Sequence, residues 1–183
     1  MAASEEHTVL PAPTFDKPVK VLIVVSPYYS DIGAGLLTGA KAALEDAGAT
    51  YGVVEMPGAL EIPTAIGISD RSSNFDGYVA LGCVIRGETT HYETVCNDSS
   101  RALQLLGLQG LCIGNGILTV ETKAQADVRA DPKGQNKGGG AALAALHLIA
   151  LGRKWSSTPK GIGFQPRGED TLMAGNKDGN TNA

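Results

Sequence analysis

Five consecutive apolar residues, Val21-Leu22-Ile23-Val24-Val25, constrain the fold of this chain most. A run without a polar position suits a strand buried on both faces, as strands of parallel sheets are. The next segment has the other period. From Ser30 to Gly48, the apolar residues Ile32, Leu36, Leu37, Ala40, Ala43 and Leu44 recur at helical spacing, and Gly48 supplies a stop. The alternation then repeats. Tyr51 to Met56 reads as a second strand. A helix starting near Glu61 places Ile62, Ala65, Ile66 and Ser69 on one face. Tyr78 to Ile85 is a third strand, and His91 to Leu106 a helix with Tyr92, Val95, Cys96, Ser99, Leu103 and Leu106 inward. Leu111 to Ile117 is a fourth strand, and two helices remain, about Val120 to Ala130 and Gly139 to Lys154. This order predicts an α/β fold, a three-layer αβα sandwich around a four-stranded parallel sheet.

The 183 residues suffice for one domain. Met1 to Pro18, with Pro11, Pro13 and Pro18, reads as a mobile arm, and residues 19–155 as the folded unit. Ser156 to Ala183 is rich in Gly, Asn, Ser and Lys and is expected to be disordered. The net charge is -4 and no basic run occurs, which argues against nucleic acid as a partner. The apolar stretch from Ala141 to Leu151 is broken by His147 and is too short to span a bilayer. Its apolar residues nevertheless occupy nearly all sides of one helix, more than a four-stranded sheet can cover, so burial against other subunits is expected. The spacing of Cys83, Cys96 and Cys112 fits no zinc pattern, and an odd count without a signal peptide suggests a reducing cytoplasm and core thiols.

In open parallel sheets ligands bind beyond the carboxyl ends of the strands. Four segments lie there: Ser26 to Ser30, Met56 to Pro63, Arg86 to Tyr92 and Asn115 to Thr119. The third is the most informative. Thr90 and Glu93 have the spacing of a capping box, which puts His91 in the first helical turn, where free N–H groups and the helix dipole favour an anion such as phosphate. A neutral imidazole there can accept a proton; an ordinary surface histidine at a capped helix start fits the same residues. His7 and His147 carry no such pattern. Tyr28 and Tyr29 follow the first strand, where an aromatic ring can stack on a heterocycle. Met56 to Pro63 is either a plain turn or a backbone wall for a planar ligand. Arg129, near a helix end, suits phosphate or an exposed ion pair. Gly138-Gly139-Gly140 either opens the last helix or forms a turn. No dinucleotide fingerprint or Walker loop is present.

These segments together resemble the lumazine synthase family. The residues that carry the likeness are Pro57-Gly58-Ala59-Leu60-Glu61-Ile62-Pro63, the block from Gly82 to His91 (GCVIRGETTH), Gly116-Ile117-Leu118-Thr119, Gln125-Ala126, Arg129 and Asn136-Lys137-Gly138. The resemblance implies a flavodoxin-like oligomer of pentamers, decamers or sixty-subunit shells. It implies condensation of 5-amino-6-(ribitylamino)uracil with 3,4-dihydroxy-2-butanone 4-phosphate, without metal or organic cofactor, and riboflavin synthase as a further partner. Within it, His91 is similar to the proton-transfer residue and Tyr28 to the aromatic that stacks on the pyrimidine. Ala59, Leu60 and Glu61 correspond to the turn holding the ribityl chain and ring edge, and Cys83, Val84 and Ile85 to the strand end under the ring. Glu88 and Thr89 correspond to the phosphate loop and Arg129 to its cationic partner. Asn115 corresponds to a residue closing the site from a neighbouring subunit, and Lys137 to a lysine near it. Leu60, Asn115, Glu88 and Gly140 depart from the commonest family residues. Two rival readings are a riboflavin-binding or shell-forming homologue with weak catalysis, and a flavodoxin-like domain for another phosphorylated ligand.

Overall fold

The computed structural model describes residues 10–156. Its elements run β1 (Lys20–Val25), α1 (Ser30–Asp46), β2 (Thr50–Glu55), α2 (Glu61–Ser72), β3 (Gly77–Ile85), α3 (His91–Leu108), β4 (Ile113–Val120), α4 (Lys123–Ala130) and α5 (Lys137–Ser156). All strands pair in parallel, in the order β2-β1-β3-β4. The apolar runs of β1 and β3 occupy the two central positions, which explains why they lack polar alternation. Successive side chains divide between two cores. Val21, Ile23, Val25, Val79 and Leu81 join a cluster with residues of α1, α4 and α5. Leu22, Val24, Tyr78 and Ala80 face Ile62 and Ile66 of α2 and Leu103 of α3. The result is the three-layer α/β sandwich that the sequence predicts.

Two boundaries differ from expectation. Asn115 to Thr119 is not a loop but part of β4, because the register with β3 continues from Tyr78↔Ile113 to Ile85↔Val120. Val120 and Glu121 therefore do not open a helix. The α4 helix begins at Lys123, where the Thr122 side chain accepts a hydrogen bond from Gln125 N–H at 3.3 Å and Gln125 Oε1 accepts one from Glu121 N–H at 2.9 Å. Reciprocal capping of this kind fixes the start of a short helix.

Gly138-Gly139-Gly140 lies within the first turns of α5, where it serves close packing. A Cβ on Gly138 would collide with the Leu36 carbonyl of α1, so α5 and α1 approach backbone to backbone. Asn136, at φ 45°, turns the chain into this helix, and its Oδ1 accepts the Gly139 N–H at 3.0 Å. This close approach lets α1, β4 and the rest of its core cluster cover Ala141, Ala142, Ala145, Leu146 and Ile149. The apolar excess of α5 is thereby smaller than its sequence suggests, and reduces to Leu148, Leu151 and Trp155.

The segment read as an arm meets the fold at its end. Phe15 packs on the core, and Arg153 of α5 donates to the carbonyls of Lys17 and Pro18 at 2.9 and 2.8 Å and pairs with Asp76 at 3.0 Å. His7 and the tail beyond Ser156 lie outside the described residues.

Candidate active site

The strand order reverses between β1 and β3: the chain leaves β1 toward β2 on one side and leaves β3 toward β4 on the other. At such a switch point the two connections part and open a crevice. A cavity of about 530 Å³ lies there, lined by three of the four segments singled out from the sequence. The loop after β1 contributes Tyr28, the turn into α2 contributes Ala59, Leu60 and Glu61, and β3 with its following loop contributes Cys83, Val84, Ile85, Thr89 and His91.

Local chemistry holds each wall. The Ser26 hydroxyl donates to the Pro57 carbonyl at 3.4 Å and accepts the Tyr28 N–H at 3.5 Å, joining the β1 loop to the α2 turn. Tyr28 is exposed and meets the Tyr29 ring edge-on, with centroids 5.1 Å apart, so one ring face stays open. Tyr29 packs against the core, and burial raises its phenol pKa. In the α2 turn, Gly58 leaves room for the Glu61 carboxylate, whose Oε2 would stand 2.8 Å from a Cβ at that position. Pro63 falls in the first turn of α2, where a missing N–H costs nothing.

Cys83 forms part of the floor. Burial, with a smaller contribution from Asp127, pushes its thiol up to about 11. It is therefore almost wholly protonated at neutral pH and acts as an apolar wall, not a nucleophile. Cys96 and Cys112 are also free and raised by burial.

The capping box expected at α3 does not form. Thr90 has αR backbone angles and makes no side-chain cap. Glu93 is drawn instead to Arg86, whose guanidinium also bonds Glu121 at 2.6 Å. An ion pair across the fold has displaced the local motif. The α3 N–H groups thus point outward beside Gly87, Thr89 and His91, and the His91 N–H contacts Thr89 Oγ1 at 3.4 Å. The α2 and α3 N-termini both open on the cavity and favour negative charge within it.

Four residues named from the resemblance do not line this cavity. Glu88 is exposed in the loop between Gly87 and Thr89. Asn115 lies on β4, with its Oδ1 accepting the Ile117 N–H at 3.0 Å. Arg129 lies half-buried on α4 and donates to the Gln125 carbonyl at 3.0 Å. Lys137 is exposed at the start of α5. Tyr29, named with Tyr28 as a stacking aromatic, also lines the cavity, and sequence reasoning gave no role to Ser26, Gly58, Gly87, Tyr92 and Val95, which line it beside assigned neighbours. Their sequence signal is membership of the same three segments or, for Tyr92 and Val95, of the inward face of the helix from His91. No three His, Cys, Asp or Glu side chains converge as a metal set among the described residues, nor is any described helix long and apolar enough to cross a membrane.

Known proteins share this framework. The family model described as 6,7-dimethyl-8-ribityllumazine synthase matches residues 18–153. A protein of that name from Jannaschia sp. (strain CCS1) is 58% identical over 163 residues, covering 89% of this chain and 92% of its own length. One from Novosphingobium aromaticivorans is 56% identical over 137 residues, covering 75% of this chain and 99% of its own. One from Bartonella henselae is 54% identical over 147 residues, covering 79% and 95% respectively. The matched span holds the whole sheet and every residue of the cavity, and the chain belongs to the 6,7-dimethyl-8-ribityllumazine synthase family.

Proposed function

We propose that this chain is a transferase of riboflavin biosynthesis. It condenses 5-amino-6-(ribitylamino)uracil with 3,4-dihydroxy-2-butanone 4-phosphate to 6,7-dimethyl-8-ribityllumazine, releasing phosphate and water. The observation that carries this reading is one cavity combining an open aromatic face at Tyr28, an anion-favouring helix start at Thr89 and an imidazole at His91.

The roles follow from position. Tyr28 stacks on the pyrimidine, while Cys83, Val84 and Ile85 form the apolar surface beneath it. Ala59, Leu60 and Glu61 hold the ring edge and the hydroxylated side chain. The substrate amine attacks the ketone and water leaves, giving an imine. Proton loss next to the imine carbon then expels the phosphate and leaves an enol that becomes a ketone, and the second amine attacks that ketone and closes the ring with loss of a second water. His91 accepts and returns the protons. The phosphate lies at the N-terminus of α3, against the N–H groups of the Glu88-Thr89 loop.

That cavity holds no Lys or Arg of its own chain among its lining residues. A phosphate dianion needs a cation, and we assign this to Arg129 of a neighbouring subunit, with Asn115 and Lys137 closing the same interface. Two apolar surfaces support a homo-oligomer. One is the cleft beside edge strand β2, lined by Val53, Val54, Ile68 and Phe75, and the other is the exposed stripe of α5. They belong to opposite edges of the sheet, since α5 packs over β4. A head-to-tail contact between different surfaces closes into a ring, and we propose a pentamer.

The test is to incubate the purified protein with both substrates and follow lumazine absorbance and fluorescence. Product formation supports the reading. Binding of lumazine or riboflavin without turnover would support a binding homologue instead.

A further inference from the structure

The cavity explains what surrounds a substrate but not what holds His91 in place. No hydrogen bond to the His91 imidazole occurs among the described residues; only its backbone N–H is engaged, by Thr89. The ring therefore takes its position from the loop 86–90 and the first turn of α3, and that turn lacks a side-chain cap. One residue fastens it. Arg86 begins the loop, and its N–H donates to the Val120 carbonyl at 2.9 Å, which anchors it to the end of β4. Its guanidinium pairs with Glu93, two residues beyond His91, and bonds Glu121 beyond β4 at 2.6 Å. The same group lies over the ring of Tyr92, 4.2 Å from its centroid. Glu121 is itself held by Gln125 through its N–H. Both carboxylates favour the charged guanidinium, Glu93 most, and Arg86 in turn lowers the Glu93 pKa.

We infer that Arg86 is a positioning residue for the reaction, clamping the first turn of α3 between the ends of β3 and β4 so that His91 stays over the cavity. This rests on the reading of His91 as the proton-transfer group. Arg86 does not line the cavity, so it acts through His91 and not on substrate. Its side chain is 40% exposed, and exposed ion pairs contribute little to stability, so its effect belongs to geometry. Lysine cannot replace it, because an ammonium lacks the planar fork that spans two carboxylates while stacking on a ring.

The experiment uses the full-length assembled protein carrying Arg86→Met, Arg86→Lys, Glu121→Gln, His91→Ala or Arg86→Met/His91→Ala. In the parent, Arg86→Met should lower kcat about 10- to 100-fold, as a misplaced catalytic group does. KM for each substrate should stay within about threefold. Arg86→Lys should recover little of the loss, and Glu121→Gln should fall between the parent and Arg86→Met. In the His91→Ala background, loss of Arg86 should cost about twofold or less, because there is no imidazole left to misplace. If Arg86→Met fails to assemble, Arg86→Lys and Glu121→Gln, made with and without His91→Ala, carry the test. A raised KM for the phosphorylated substrate with unchanged kcat would overturn the inference, and so would an equal loss with and without His91. A silent His91→Ala would instead overturn the role assigned to His91 itself.

Discussion

The Lys123 ammonium lies 2.6 Å from the Asp31 carboxylate and 2.8 Å from that of Asp127, joining the first turn of α4 to the first turn of α1. Asp31 is in the first turn of the helix that follows Tyr28 and Tyr29, so this pair steadies one rim of the cavity. The hydrogen bond from Lys123, helped by the Ile32 N–H, holds Asp31 below the ordinary carboxylate range. The same carboxylates raise the Lys123 pKa, Asp127 first.

These shifts set a pH window. A lowered Asp31 pKa contributes stability that is present above the unfolded carboxylate value and lost as pH falls through the folded one. A raised Lys123 pKa contributes stability present below the unfolded lysine value and lost as pH rises through the folded one. The contribution is therefore constant from mildly acidic to mildly basic pH. Asp31→Asn should cost little at neutral pH, because both groups are exposed, and its difference from the parent should shrink as pH falls below the carboxylate range and again in strong base. Urea unfolding midpoints against pH, at low and high salt, read this directly; a difference unaffected by salt would contradict an exposed ion pair.

The periodicity of the chain made the fold legible because each element keeps one period throughout: Val21 to Val25 for the central strand, Ile32 to Leu44 for the first helix. Legibility failed where tertiary contacts override local signals. Asn115 to Thr119 reads as a loop after the fourth strand, yet pairing with β3 holds it extended. Thr90 and Glu93 read as a cap, yet Arg86 takes Glu93 away. Within one chain the site was legible through Tyr28, the Ala59–Glu61 turn and the strand leading to His91. The roles of Asn115 and Lys137 came from family resemblance alone and that of Arg129 also from its place near a helix end, and their remoteness from the cavity follows if they serve a neighbour.

Gly138 and Gly140, both in α5, should respond oppositely to alanine. Gly138→Ala would drive its Cβ into the Leu36 carbonyl and should destabilise by about 1–3 kcal/mol or more, because backbone cannot yield as a side chain does. A Cβ on Gly140 meets nothing within 4 Å in the chain, so Gly140→Ala should stabilise by about 0.5–1 kcal/mol through helix propensity. Denaturant unfolding of both variants decides it. Equal effects would show that the α1–α5 contact is looser than its geometry implies.

Cys83, with its thiol near 11, should react slowly with iodoacetamide at neutral pH and faster as pH rises toward that value. Cys83→Ala should keep kcat within about threefold, since the residue acts as a wall. Peptide mass spectrometry after timed alkylation tracks the first expectation. Rapid modification at pH 7 would show that the thiol is more accessible or more acidic than its surroundings imply.

His91→Ala should lower kcat about 10²- to 10⁴-fold while substrate binding is largely retained, the usual range for loss of a general acid–base group. Single-turnover rates and equilibrium binding of the pyrimidine separate the two effects. Weakened binding with unchanged turnover at saturation would move His91 from proton transfer to substrate capture.

The last prediction concerns sharing of the site between subunits. Arg129 lies on α4 and donates to its own helix, outside the cavity that holds His91. If a neighbour's Arg129 completes each site, then His91→Ala and Arg129→Ala damage different chains of the same interface. Each variant alone should be poor. Unfolded together in equal amounts and refolded, they mix at random around a closed ring. A working site then needs an intact His91 from one subunit and an intact Arg129 from the next, which about one quarter of interfaces supply. Activity should therefore rise far above either parent variant. If both residues served one chain's site, every subunit would lack one of them and mixing would restore nothing. Parental activity in a mixture that mass spectrometry shows to contain hetero-oligomers would sink the shared site.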